Sequence, residues 1–205
     1  MQTKIYCALL LFTAFSSCVT FKQFDDRAKA SRETTYEASI VKNNGTVYTG
    51  QQLKHKNYDP YDANLVRVTY KDNAFTLDSK KYNDSDVVAF QDTKAFHQRF
   101  NNVYLIRLVK GKINLYYFDA TGYDKTYAYQ SSGPTNTTKT SDRRSTYFFD
   151  KNGGKINPIG LAELKETIKD NPQALKKLNT SYPKDSYAKE LNIEKLVSVV
   201  ELYNK

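Results

Sequence analysis

The run VYLIRLVKGKINLYYFD, residues 103–119, constrains the fold more than any other stretch. Successive side chains of a strand point to opposite faces. Val103, Leu105 and Val109 then share one face, and Tyr104, Ile106 and Leu108 the other. Both faces are largely apolar, so this strand is expected inside a sheet and covered on both sides. Gly111, between Lys110 and Lys112, marks a tight turn, and INLYYFD returns as the next strand. Arg107 breaks the pattern, and a buried guanidinium needs a partner or a route to water.

The same short-strand texture runs from Thr34 onward. TTYEASIV and TVYTG flank Asn44-Gly45, a strong short-range hairpin signal. LVRVTY alternates, and VVAFQ, AFHQRF, TYAYQ and TYFFD follow, divided by polar turns such as KNGGK. HKNYDPYDAN reads as a loop. SSGPTNTTKTSDRRS, residues 131–145, has no periodicity and is a long polar loop, expected to be mobile rather than functional. GKIN occurs twice and YYFD is echoed by YFFD, but in reversed order, so they reflect hairpin composition and not a repeat.

After Pro158 the period changes. Leu161, Leu164 and Ile168 fit one helix face, and Ala174, Leu175 and Leu178 another. Asn171-Pro172 reads as an N-cap followed by proline at the first helical position. Ile193, Leu196, Val197, Val200 and Tyr203 make an amphipathic final helix. Strands first and helices last predict an α+β fold: a mostly antiparallel sheet, with two to three C-terminal helices packed on one face. The domain is expected over 34–205, β-rich over 34–157 and helical over 158–205.

The chain's start has a different texture. Lys4 precedes the apolar run from Ile5 to Phe15, which is too short to span ~30 Å of hydrocarbon and reads as the core of a secretory signal. Ser16 and Ser17 are small enough for a peptidase site, and Cys18 follows. Cys7 lies inside the apolar run and would be lost with it, leaving Cys18 as the mature chain's lone cysteine. A leftover thiol in an exported protein calls for an explanation. Residues 18–33 then read as the modified cysteine and a tether, with Phe21 and Phe24 available to dock on the domain.

Phe15-Ser16-Ser17-Cys18 resembles the lipobox of bacterial lipoproteins. That resemblance implies a signal peptide over 1–17, diacylglycerol on the Cys18 thiol, cleavage before Cys18 and fatty acylation (palmitate among the acids) of the new amine. One acyl chain binds membranes only marginally, whereas two or three make a stable anchor. The other reading is an ordinary signal cut near Ala14-Phe15-Ser16, which leaves a secreted soluble protein. The run from TVYTGQQLK through VYLIRLVKGKINLYYFD, with the ending VVELYNK, is similar to uncharacterised lipoproteins of gram-negative envelopes. This implies a bacterial outer-membrane address reached through the Sec pathway and no particular activity.

Chemistry has few footholds. The net charge is +9, but the lysines are scattered among acids, so solubility explains it better than a nucleic-acid partner, and export argues against one. His55 and His97 are the only histidines, and no HExxH or CxxC spacing occurs, so no metal and no cofactor are expected. The acids of NDSD (83–86), DPYD (59–62) and DKNGG (150–154) fit turns rather than a calcium loop. Ser181 and Lys184 match S-x-x-K by letter, but Pro183 breaks the helical turn such a pair needs. Tyr116, Tyr117, Tyr123, Tyr127, Tyr129 and Tyr147 are candidates for an aromatic binding face, although tyrosine is also a strong strand former. No catalytic residue emerges. The expected function is a lipid-anchored envelope domain that binds or builds, with an envelope protein or glycan as partner. An envelope hydrolase using paired carboxylates is the alternative.

Overall fold

The computed structural model describes residues 24–55, 74–101, 103–118, 147–183 and 191–205. Helix α1 covers 24–30. Among the described residues eleven strands follow in chain order: β1 (Ala38–Lys42), β2 (Val47–Gly50), β3 (Leu53–His55), β4 (Phe75–Leu77), β5 (Lys80–Tyr82), β6 (Val87–Gln91), β7 (Phe96–Phe100), β8 (Val103–Val109), β9 (Ile113–Tyr117), β10 (Tyr147–Lys151) and β11 (Asn157–Pro158). Helices α2 (Leu161–Thr167), α3 (Pro172–Ser181) and α4 (Ile193–Asn204) close the chain. This is an α+β fold, as the order of strands and helices predicts.

Eight strands pair antiparallel in the order β11-β10-β9-β8-β7-β6-β1-β2, and a second sheet has the order β3-β4-β5. Local chemistry fixes the turns. Gly45 takes φ 79° between β1 and β2, and the Asn44 side chain accepts from the Thr46 amide. Asn152 and Gly153 both take positive φ after β10. Asn171 caps α3 by accepting from the Ala174 amide, with Pro172 at the first helical position. Asn192 caps α4 by accepting from the Lys195 amide.

Directly paired residues share a sheet face, which lets the layers be traced. Ile40, Phe90, His97, Ile106, Tyr117 and Tyr147 form one cross-strand row over β1, β6, β7, β8, β9 and β10. Two cores sit on the face that this row marks. Toward β8–β10, Ile106, Leu108, Ile113, Leu115 and Phe149 pack with Leu164, Ile168, Leu178, Leu196 and Val200 of the helical region. Toward β1 and β6, Ile40, Phe90 and Tyr104 pack with Phe75, Leu77 and Tyr82 of the small sheet. A smaller cluster, Val103, Leu105, Tyr116 and Phe148, lies on the opposite face.

Strand β8 is buried at all seven positions and is interior to the large sheet, which accounts for its two apolar faces. One detail differs from strict alternation. The register shifts between Arg107 and Val109, and this bulge turns Val109 into the helix-side core beside Leu108, away from Val103 and Leu105. Arg107 finds its partners in the segment expected as a tether. Its Nε and Nη2 donate to the Ser31 carbonyl at 3.1 and 2.5 Å, and Nη2 also meets Glu33 Oε1 at 2.9 Å. Its guanidinium lies 3.9 Å from the Phe96 ring centroid.

Residues 24–33 are therefore part of the packed domain rather than a free tether. Ala28 and Ser31 are buried, Phe24 packs edge-on to Tyr117 at 4.6 Å, and Arg27 pairs with Glu201 of α4. Gln91 fixes the following turn by accepting from the Glu33 amide and donating to the carbonyls of Glu33 and Tyr36. The chain thus passes from the helix side, at Tyr117, around the end of the sheet to Gln91 and Arg107.

Candidate functional site

Cys18, Ser16 and Ser17 lie outside the described residues, as do Tyr123, Tyr127, Tyr129, the 131–145 loop and the DPYD acids. The described part of the candidate anchor region begins at Phe24, on the helix side of the sheet and against Tyr117.

The tyrosines do not form one platform. Tyr117 and Tyr147 stand in the helix-side row, whereas Tyr116 pairs with Arg107 and Phe148 on the other face. Tyr116 is buried, and its hydroxyl donates to Asp150 Oδ2 at 2.6 Å. Asp150, also buried, further accepts from Asn114 Nδ2 and the Gly153 amide. Burial and the Asp150 charge push the Tyr116 hydroxyl well above its usual range. The carboxylate thus ties β9, β10 and the 151–154 turn together.

The densest polar constellation lies between the two sheets, around Asp84 of the NDSD turn. This carboxylate is 1% exposed. A 3-10 turn over Asp84–Asp86 aims it inward. Arg99 of β7 donates through Nη2 to Asp84 Oδ2 at 2.5 Å, to the Asp84 carbonyl at 2.6 Å and to the Tyr104 hydroxyl at 2.7 Å. The Tyr104 hydroxyl lies 3.3 Å from Asp84 Oδ1 and 3.1 Å from the Val87 carbonyl, and His55 Nε2 lies 3.4 Å from Oδ1. Burial raises the Tyr104 hydroxyl far above its ordinary value, with the Asp84 charge adding to it. Phe75, Phe90 and Tyr104 wall this group with tilted and edge-on ring contacts at 5.0–5.9 Å.

Chemically this is an acid, a guanidinium, a phenol and an imidazole in one place. They bond one another, however, and span two sheets: His55 from the small sheet, Arg99 and Tyr104 from the large one, Asp84 from the link between them. The arrangement is that of a polar joint. In sequence Asp84 reads only as a turn acid of NDSD. Alternation in AFHQRF sets Arg99 beside His97, opposite Phe96 and Phe100, so nothing local marks it as a buried partner for that carboxylate.

His97 is fully buried on β7 and stacks on Phe90 at 4.3 Å and 14°. Its Nε2 lies 3.3 Å from Asp92 Oδ2, close enough for an ion pair but outside hydrogen-bond alignment. Burial pushes the Asp92 carboxyl up, but His97 and the amides of Ala95 and Lys94 outweigh it and hold it below its ordinary value. Among the described residues, no group of three or more His, Cys, Asp or Glu side chains could hold a metal ion.

A groove of about 840 Å³ runs beside β11 and α2, lined by Phe149, Pro158, Ile159, Glu163 and Glu166 among others. Both glutamates are exposed, and Glu166 pairs with Lys169. Among the described residues no helix is long and apolar enough to cross a membrane. Comparison with protein-family models, curated proteins and solved structures finds no significant match.

Proposed function

We propose that this chain is a non-catalytic binding or structural domain of the bacterial cell envelope, held at the membrane by lipid on Cys18. The observation that carries the reading is the placement of that residue. Cys18 closes the Phe15-Ser16-Ser17-Cys18 pattern, no cysteine follows it, and packed backbone is present by residue 24. Anchor and domain thus follow each other closely. The non-catalytic part rests on how the buried acids are used. Asp84 and Asp150 are both buried and engaged by donors within the fold. Among the described residues, the carboxylates at an open groove are Glu163 and Glu166, and both are exposed. Two carboxylates in free water lack the environment that separates an acid from a base.

The test is metabolic labelling with an alkyne fatty acid, wild type beside Cys18→Ser. The expected result is label on wild type alone, with membrane fractionation lost in the variant. Unlabelled wild type in the soluble fraction would remove the lipoprotein reading and leave a secreted soluble domain.

A further inference from the structure

We infer that the end of the domain carrying Phe24, Tyr117, Tyr147 and the start of α4 is the face that meets the bilayer. This rests on the lipid-anchor reading and adds an orientation to it. Five residues, 19–23, separate Cys18 from Phe24. Even fully extended, that stretch spans no more than about 20 Å. A lipidated Cys18 therefore keeps Phe24 within a short distance of the membrane, whatever path those residues take.

The surroundings of Phe24 suit such a position. It is half-buried and meets Tyr117 at 4.6 Å; Tyr117 in turn meets Tyr147 at 5.6 Å. Both tyrosines are half-buried members of the helix-side row. Half-buried aromatics with a polar tip favour the boundary between hydrocarbon and water. Ile193, also half-buried, opens α4; the Asn192 cap before it bonds the Tyr182 hydroxyl, which lies within electrostatic reach of Tyr147, and Lys195 in the same first turn lies over the Tyr182 ring at 5.7 Å. Long basic side chains of this kind reach from an apolar surface into the headgroup layer. Asp25 and Asp26 are exposed on α1, so attraction to acidic headgroups is not the grip; the acyl chains supply the affinity and the short link supplies the orientation.

The rest of the molecule points elsewhere. α1 runs from Tyr117 toward Ser31 and Arg107, and α4 ends where Asn204 bonds the Ile113 amide. Lys205 therefore lies at the opposite end of α4, about 15 Å from Lys195 at a helical rise of ~1.5 Å per residue.

The experiment uses the full chain, processed in a bacterial host and reconstituted into phosphatidylethanolamine–phosphatidylglycerol vesicles. Lys195→Cys and Lys205→Cys each add one thiol at an exposed position, and each receives a nitroxide label. Accessibility to oxygen against a water-soluble nickel chelate then reports depth. The expected result is a several-fold higher oxygen-to-nickel ratio at 195 than at 205. Equal ratios at the two positions, or a higher one at 205, on a chain whose acylation is shown by its mass, overturn the orientation alone. A parent chain without added thiols that takes up label at Cys18 and leaves the vesicles overturns the anchor and the orientation together.

Discussion

The two cores on the same face of the large sheet are built by opposite means. Under the helices, the core around Leu164, Leu178, Leu196 and Val200 is almost wholly aliphatic, and these four side chains are inaccessible to water. Under the small sheet, the core around Phe75, Phe90 and Tyr104 surrounds a buried ionic group, Asp84 with Arg99. Helices of 7–12 residues bring long apolar stripes and need little else to hold their position. Strands of three residues bring almost no area, so the small sheet gains its placement from directional bonds. One half is held by volume, the other by geometry.

The sharpest way to break this comparison is to remove the charge from the small-sheet half. Asp84→Asn keeps the shape but removes the carboxylate charge that the Arg99 guanidinium, 13% exposed, pairs with across the joint. Losing one partner of a buried pair costs about 3–5 kcal/mol. A fall of that size in urea-unfolding stability is the expected outcome. Arg99→Met in the same background should restore part of it, because an apolar replacement removes a buried guanidinium that has lost the Asp84 charge. If Asp84→Asn is neutral, the small sheet is held by Phe75 and its neighbours alone.

In the helix-covered half the matching change is Leu196→Ala. Deleting a fully buried leucine side chain costs about 2–5 kcal/mol, part transfer and part cavity. We expect about 3 kcal/mol by the same measurement. The contrast lies in the rescue: Leu196→Met, which preserves volume, should cost less than ~1.5 kcal/mol. No single replacement of Asp84 has that tolerance.

These differences also explain what was legible in sequence. Hairpins with Asn44-Gly45, Gly111 and Asn152-Gly153 at their turns, and helices with Asn171-Pro172 and a 3.6-residue stripe, carry local signals that the fold obeys. The small sheet carries none. Three residues of β4 and three of β5 are too short to display a period, and their partners are chosen by Asp84, which in sequence looks like any turn acid. Arg107 announced that it needed a partner, but not that Ser31 and Glu33 would supply it from 74–76 positions away. The packed role of residues 24–33 was hidden for the same reason: its apolar contribution is little more than Phe24 and Ala28, and its bonds run mostly through backbone carbonyls and one glutamate. Of the candidate functional residues, Cys18 was legible as a motif, whereas Asp84 and Arg99 are defined only by where the two sheets meet.

A third region sharpens the comparison at the smallest scale, because it combines both methods at the sheet's end. Glu33 lies between Arg107 and Lys110, with carboxylate oxygens 2.9 and 2.5 Å from their nitrogens. Burial pushes its carboxyl up, but the bonds and charges of Lys110 and Arg107 outweigh this and hold it below its ordinary value. A carboxyl depressed in the folded state stabilises the fold above its unfolded pKa, near 4.3, and that contribution disappears as pH falls through the folded value. Asp92, also depressed, adds to the same trend at the neighbouring strand end. Stability should therefore be flat from pH 7 to about pH 5 on this account and decline below it. Glu33→Gln should lower stability at pH 7 by about 1 kcal/mol, the scale of one partly exposed charged hydrogen bond, and should flatten part of the acid decline. Urea unfolding of both proteins at pH 7, 5, 4 and 3 checks this: the two curves should converge toward pH 3. Curves that stay parallel throughout would mean that Arg107 is held by the Ser31 carbonyl and the Phe96 ring alone, with the Glu33 charge irrelevant to how residues 24–33 pack.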